Sequence, residues 1–172
     1  MDFEKEYRVG PFERISLRKR KTKTNGPFDD KDDALAKTSE NIEAICDLQY
    51  RLFVEESQSL LIVLQAPDAA GKDGLIRKVL GQMNPQGCRT YPFKAPSKLE
   101  REHDFLWRIH RCTPGRGKVS IFNRSHYEDV LVVRVEELVP KSVWSQRYEI
   151  INQFEQNLSL NGTRILKFYL HI

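Results

Sequence analysis

Leu60-Leu-Ile-Val-Leu-Gln65, then Ala66-Pro-Asp-Ala-Ala-Gly-Lys-Asp-Gly74, then Leu75-Ile-Arg-Lys-Val-Leu80 is the stretch that decides the fold. The first segment is an apolar run of strand length without polar alternation, the pattern of a central parallel strand buried on both faces. The last segment has helical spacing. Between them lies a loop of small residues, with Gly71-Lys72 where the loop meets the helix. Strand, small-residue turn, Lys and helix, in that order, is the layout of a phosphate-binding loop. The first amides of a helix have no intrahelical partner, and the helix dipole adds partial positive charge there. A loop without bulky side chains, here Ala69, Ala70, Gly71, Lys72, Asp73 and Gly74, lets several N–H groups converge on one phosphate. Lys72 adds a full charge at the same point. The bland reading is a tight strand-to-helix turn with a solvated lysine.

The match to G-x-x-x-x-G-K-S/T is incomplete. Ala66 stands where the first Gly belongs, Asp73 stands where the Ser or Thr belongs, and Asp68 adds a carboxylate inside the loop. Two acids beside a phosphate cradle would repel the ligand unless a cation screened them. A divalent metal, Mg²⁺, is therefore expected to bridge Asp68 to phosphate oxygens.

Working outward, 172 residues suit one domain, and 40% hydrophobic residues can supply its core. Cys46, Cys88 and Cys112 show no zinc or C-x-x-C spacing, which points to reduced thiols and a cytoplasmic location. The charged start, MDFEKEYR, has no apolar core of a secretory signal, and the apolar runs are too short to span a bilayer. A net charge of +4 is a mild bias toward anionic ligands without choosing among them. Residues 1–32 read as an N-terminal arm. Its basic run Arg18-Lys-Arg-Lys21 is either a docking strip for a polyanion or a solvated tail, and Asn25-Gly26-Pro27 is a turn.

Residues 33–172 read as the domain. Asp33 to Glu56 is one amphipathic helix with Leu35, Ile42, Ile45, Leu48 (or Gln49) and Leu52 near one face. The helix after the loop is expected to run to about Met83, and Arg77 and Lys78 on it either line an anion track or face water. Cys88 to Phe93 is a second strand. Ser97-Lys-Leu-Glu100 is a capping box opening a helix that ends near Cys112. His103 and His110 on that helix have no metal-ligand spacing and read as structural or exposed. Val119 to Phe122 is a third strand that delivers Asn123-Arg-Ser-His-Tyr-Glu-Asp129, a polar cluster where open α/β sheets bind ligands. Arg124 there is either a phosphate contact or a surface ion pair. Ser125-x-x-Glu128 is a second capping-box pattern, so Glu128 could be no more than a cap for a helix reaching Val139. After Pro140, Ser142 can cap a helix with Trp144, Tyr148, Ile151, Glu155 and Leu158 along one face, Trp144 and Tyr148 reading either as core or as a stack for a base, with Asn161-Gly162 closing it. Arg164 to Ile172 is a fourth strand. Strand–helix alternation of this kind means a parallel sheet with helices on both faces.

Together the pieces resemble the polyphosphate kinase 2 family. The resemblance rests on Ala66 to Gly74, on Phe122-Asn-Arg-Ser-His-Tyr-Glu-Asp-Val-Leu131, on Asp104-Phe-Leu-Trp-Arg-Ile-His110 and on Leu166-Lys-Phe-Tyr-Leu-His-Ile172. It covers about Asp33 to Ile172 and is closest to the branch that phosphorylates nucleoside mono- and diphosphates. The family's loop also has Asp at the positions of Asp68 and Asp73. The resemblance implies a three-layer P-loop kinase-like α/β fold with strand order 2-3-1-4-5. It implies transfer between inorganic polyphosphate and AMP or ADP, with Mg²⁺ and without nucleic acid or membrane as partner. It implies that Lys72 and the loop amides hold the transferring phosphoryl, that Asp68 holds Mg²⁺, and that Arg124 bridges donor and acceptor phosphates. Asn123 occupies a position that is Asp in other branches, so it bears on AMP versus ADP choice and leaves the second metal ligand open, with Glu128 a candidate.

In the family the chain continues past this strand with a Lys/Arg-rich helical lid and a final strand. The expectation is therefore a domain truncated after its fourth strand, with that strand an apolar edge. Such an edge is a template for pairing, so the chain is expected either to self-associate, as a homo-oligomer, or to be part of a longer product. Without lid arginines it is expected to bind polyphosphate and turn over slowly. Two other readings stand beside this one: an ATP-dependent nucleoside monophosphate kinase, and a non-catalytic fragment that binds polyphosphate or nucleotide.

Overall fold

Alternate side chains of β1 (Ser59–Gln65) enter opposite faces of the sheet, as the pleat requires, and both faces are covered. Leu61 and Val63 join Phe93, Ile109, Phe122 and Phe154 on one side; Ile62 and Leu64 join Leu80, Met83 and Ile121 on the other. In this computed structural model, which describes residues 3–23 and 26–172, the sheet is four-stranded and all-parallel. Its order is β2 (Cys88–Pro92), β3 (Val119–Asn123), β1, β4 (Thr163–Tyr169), the first four places of the expected order. Five helices carry the outer layers: α2 (Lys31–Glu55) and α3 (Lys72–Lys78) on the second face, α5 (Trp107–His110), α6 (Glu128–Val135) and α7 (Lys141–Leu160) toward the first. Burial is complete along the middle of the sheet: Leu61, Leu64 and Phe122 have no exposed surface. Phe122 meets Phe93 edge-on at 4.9 Å between ring centres, a favoured aromatic geometry.

The helices differ from the expectation in instructive ways. Helix α2 starts two residues early because the Asp30 carboxylate accepts from the amides of Asp32 and Asp33, at 2.8 and 2.9 Å. Its inner face carries Ile45, Gln49 and Leu52, while Leu35 and Leu48 are exposed. Helix α3 does not reach Met83. It ends at Lys78 and gives way to a 3₁₀ turn over Leu80–Gln82 that turns Leu80 and Met83 into the core.

The Ser97–Glu100 capping box forms, with reciprocal bonds of 3.3 and 2.7 Å, but the helix it opens, α4 (Lys98–Arg101), is one turn long. Asp104 interrupts it by accepting from the amide of Leu106, the competition a short polar side chain offers a helix; α5 then starts afresh. The second capping box does not form. Ser125 Oγ accepts instead from Gln65 Nε2 and from the amide of Tyr127, and α6 stops at Val135, before the left-handed Glu137 and Pro140. Ser142 is no cap either: Pro140 holds that position and Ser142 lies in the first turn of α7. The helix closes at Asn161, with Gly162 at φ +88°, as read. Strand β4 starts at Thr163 and ends at Tyr169, short of Ile172.

The arm contains a one-turn helix, α1 (Phe3–Tyr7), and a 3₁₀ turn at Leu17–Lys19; Arg18 to Lys21 are exposed. Asn25 of the expected turn lies outside the described residues. His103 stacks on Trp107 at the surface, and His110 lies edge-on to Phe154. No helix among the described residues is long and apolar enough to cross a membrane.

Candidate functional site

The carboxyl ends of β1, β3 and β2 open into one cleft of about 660 Å³. Its near wall is the loop from Asp68 to Gly74, its floor is Asn123 and Arg124, and its far wall is Pro92 to Ala95. The loop is shaped by two left-handed residues, Ala69 at φ 62° and Gly71 at φ 79°. Glycine adopts that conformation freely; alanine does so at a cost of roughly 1–2 kcal/mol. The first amide of α3 to find a main-chain acceptor is that of Leu75, on Gly71 C=O, so those of Lys72, Asp73 and Gly74 are the free donors of a helix start, while the amide of Ala70 is turned onto Pro67 C=O at 3.3 Å. Lys72 is buried, and its ammonium donates to the carbonyls of Ala66 and Pro67, both at 3.2 Å. The lysine is thus folded back along its own loop, within reach of whatever the loop amides hold.

Two bonds cross the floor. Arg124 donates to Asp68 Oδ1 at 2.8 Å, and Asn123 donates to Asp73 Oδ1 at 2.7 Å. Both loop acids are therefore partnered by the end of β3, and both alternatives for Arg124 meet: it is an ion pair, and it lines the cleft. Arg124 itself is left-handed, at φ 63°. Strain of this kind persists where the surroundings over-determine it. Here the amide of Arg124 donates to Leu64 C=O, and the next residue, fully buried Ser125, is gripped by Gln65.

Of the residues singled out from the sequence, Asp68, Ala69, Ala70, Gly71, Lys72, Asp73, Gly74, Asn123 and Arg124 share this cleft. Arg77 and Glu128 do not line it; Arg77 lies in the last turn of α3 and Glu128 opens α6. The sequence reading missed the far wall. Pro92 and Pro96 served only to end a strand there, although a lysine between two prolines at a strand's carboxyl end is itself a signal.

It also missed the polar cores that hold the floor. His126 is fully buried, with Nε2 3.2 Å from Glu155 Oε1, which also accepts from Tyr127 Oη at 2.7 Å. Lys167 of β4 donates to Glu155 Oε2 at 2.6 Å. Burial alone would raise the Glu155 pKa, but the bonds from His126, Lys167 and Tyr127 outweigh it and bring it down to about 2. Burial and the neighbouring Glu155 push Tyr127 up to about 12. In a second group, Asp129 lies between Arg108 and Arg147 at 3.5 and 3.6 Å. Those pairs are long, so burial prevails and its pKa is raised. A Glu on the inner face of a helix and a Lys inside an apolar strand were the visible signs of the first cluster.

Comparison with known proteins identifies the family. The family profile described as Polyphosphate kinase 2 (PPK2) matches residues 28–172. The ADP-polyphosphate phosphotransferase of Rhodopseudomonas palustris is 45% identical over 98% of this chain and 62% of its own length. The AMP/ADP-polyphosphate phosphotransferase of Meiothermus ruber is 45% identical over 98% and 63%. The crystal structure of polyphosphate kinase 2 from Arthrobacter aurescens superposes with a TM-score of 0.88 at 38% identity, covering 95% of this chain and 59% of that one. The chain thus spans about three fifths of the length of these relatives. A family match over residues 28–172, together with relatives 45% identical over 98% of the chain and a superposition over 95% of it, establishes that the chain belongs to the polyphosphate kinase 2 family.

Proposed function

We propose that this chain carries the phosphate-binding core of a polyphosphate-dependent nucleotide kinase, moving a phosphoryl group between inorganic polyphosphate and AMP or ADP. The observation that carries the reading is the cleft itself: a lysine and free helix-start amides on one wall, and an arginine on the floor 2.8 Å from a loop carboxylate. Phosphoryl transfer asks the protein for placement and charge neutralisation, with no covalent bond to a side chain. The loop amides would hold the terminal phosphoryl of the donor. The Lys72 ammonium would exchange its two carbonyl acceptors for phosphate oxygens. Arg124, between the loop and the far wall, would neutralise charge on the oxygens on either side of the bond being made.

The residues fit a magnesium ion of the substrate-borne kind. The Asp68 side chain is 90% exposed, and Arg124 engages only its Oδ1, so the second oxygen is open to a cation. Mg²⁺ is commonly bound by one or two carboxylates together with substrate phosphates and water, which matches a cleft with Asp68 and Asp73 but no cluster of three ligands among the described residues. When bound, the ion would supply neutralisation of phosphate charge.

Donor choice tests the proposal. The chain is incubated with AMP, Mg²⁺ and either long-chain polyphosphate or ATP, and nucleotides are resolved by anion exchange. Polyphosphate-dependent formation of ADP is expected. Product with ATP alone would reassign the chain to the ATP-dependent nucleotide kinases.

A further inference from the structure

The far wall of the cleft is chemically unlike the near one. It presents the apolar groups of Pro92 and Ala95 together with Lys94, whose ammonium has no hydrogen-bond or ion-pair partner among the described residues. The other two lining cations are committed, Lys72 to the carbonyls of its loop and Arg124 to Asp68. An exposed lysine with no partner is ordinary by itself. Here a second observation singles it out: the backbone that carries Lys94 is clamped from behind. Arg108, only 9% exposed, donates Nη1–H to the Lys94 carbonyl at 2.7 Å, lies over the Phe93 ring at 5.6 Å, and pairs with Asp129. From the other side the amide of Phe93 donates to Asn123 C=O at 3.1 Å, fixing the wall to the floor that carries Arg124. Arg108 thus ties the Lys94 carbonyl to a buried anchor that also holds Asp129 and the Phe93 ring, so the segment carrying Lys94 is held in position.

Resting on the function proposed above, we infer that Lys94 is a further substrate-binding residue. Its ammonium holds a phosphate of the acceptor nucleotide, and Arg108 is the positioning residue that aims it. The acceptor is favoured over the donor by the chemistry of the wall. Polyphosphate has no apolar surface to lay against Pro92 and Ala95, whereas a nucleoside does. The loop wall, with free amides and Lys72, suits the all-anionic donor. Arg124 lies on the floor that joins the two walls.

The test is equilibrium binding of two probes, ADP and inorganic tripolyphosphate, each with Mg²⁺. The proteins are the unaltered chain, Lys94→Ala, Arg108→Lys and the double variant. Lys94 is exposed, so its loss leaves the core intact; Arg108→Lys keeps the buried charge beside Asp129 and removes the fork that reaches the carbonyl. Losing one charge-assisted phosphate contact should weaken ADP binding by about tenfold in Lys94→Ala, with tripolyphosphate changed less than about twofold. Arg108→Lys should weaken ADP binding in the same direction and add nothing once Lys94 is gone, the non-additivity expected of residues acting through one another. ADP binding unchanged in Lys94→Ala, an equal loss for both probes, or independent effects of the two substitutions would each overturn the inference while leaving the proposed function standing. An unaltered chain that binds neither probe would overturn both.

Discussion

Lys72 has two kinds of neighbour, its own loop carbonyls and the free amides beside them, and it contributes nothing to either core cluster. Replacing it should therefore remove charge without loosening the fold. Lys72→Ala is expected to lower the rate of phosphoryl transfer by about 10²–10³ or more, the cost of deleting one preorganised charge-stabilising group. The thermal midpoint should stay within a few degrees of the unaltered chain, and rate and melting curve together check this. Asp68 makes a separate prediction, because its two oxygens face different partners. Asp68→Asn keeps the shape and loses the charge, so the Mg²⁺ concentration for half-maximal rate should rise and the maximum should fall. A Mg²⁺ titration that superposes on that of the unaltered protein would make Asp68 a turn residue and an anchor for Arg124, nothing more.

At the scale of elements, what the sequence made legible and what it hid divide along a physical line. Strand positions, the parallel sheet and the loop were readable because unbroken apolar runs and small-residue turns are local signals. Helix lengths were not: Asp104 took the amide of Leu106 and the chain after Lys78 tightened into a 3₁₀ turn, local choices that compete closely with a longer helix, while Ser125 was claimed by Gln65, a partner that only the fold brings near. The same holds for the site. Its near wall is one contiguous motif, while the far wall depends on Arg108 reaching Lys94 across 14 positions, and the floor depends on Glu155 and Lys167 meeting His126 and Tyr127. The Glu155 cluster joins α7, β4 and the turn after β3, and it carries a pH signature. A Glu held at about 2 when folded, against about 4.3 unfolded, contributes stability that is present above about pH 4.3. The contribution is lost as pH falls from there toward 2. Asp129, with a raised pKa, works in the opposite sense, so a difference between variants is the clean readout. Urea midpoints of the unaltered chain should fall more steeply between pH 5 and about 2.5 than those of Glu155→Gln. Parallel curves would show that the cluster does not couple to folding.

The whole molecule sets an apolar strand at one margin of its sheet and a charged cleft at the carboxyl end. Leu166, Phe168 and Tyr169 of β4 are each about half exposed, and among the described residues β4 is paired only with β1. Natural proteins cover or pair such edges. Light scattering of the 172-residue chain should give a mass above that of a monomer, 20.1 kDa; a monodisperse monomer would show that the edge is quiet in solution. The cleft makes the larger claim, that loop amides, Lys72 and Arg124 form a seat for a chain of phosphates. Binding of polyphosphate of defined length tests it most directly, measured with and without Mg²⁺ over a range of salt, on the unaltered chain and on Lys72→Ala. Saturable binding is expected that weakens steeply with salt, by analogy with the release of counterions from other polyanions, that tightens with Mg²⁺, and that drops by at least about tenfold in the variant. Equal binding by the two proteins, or none by the unaltered chain, would contradict the account.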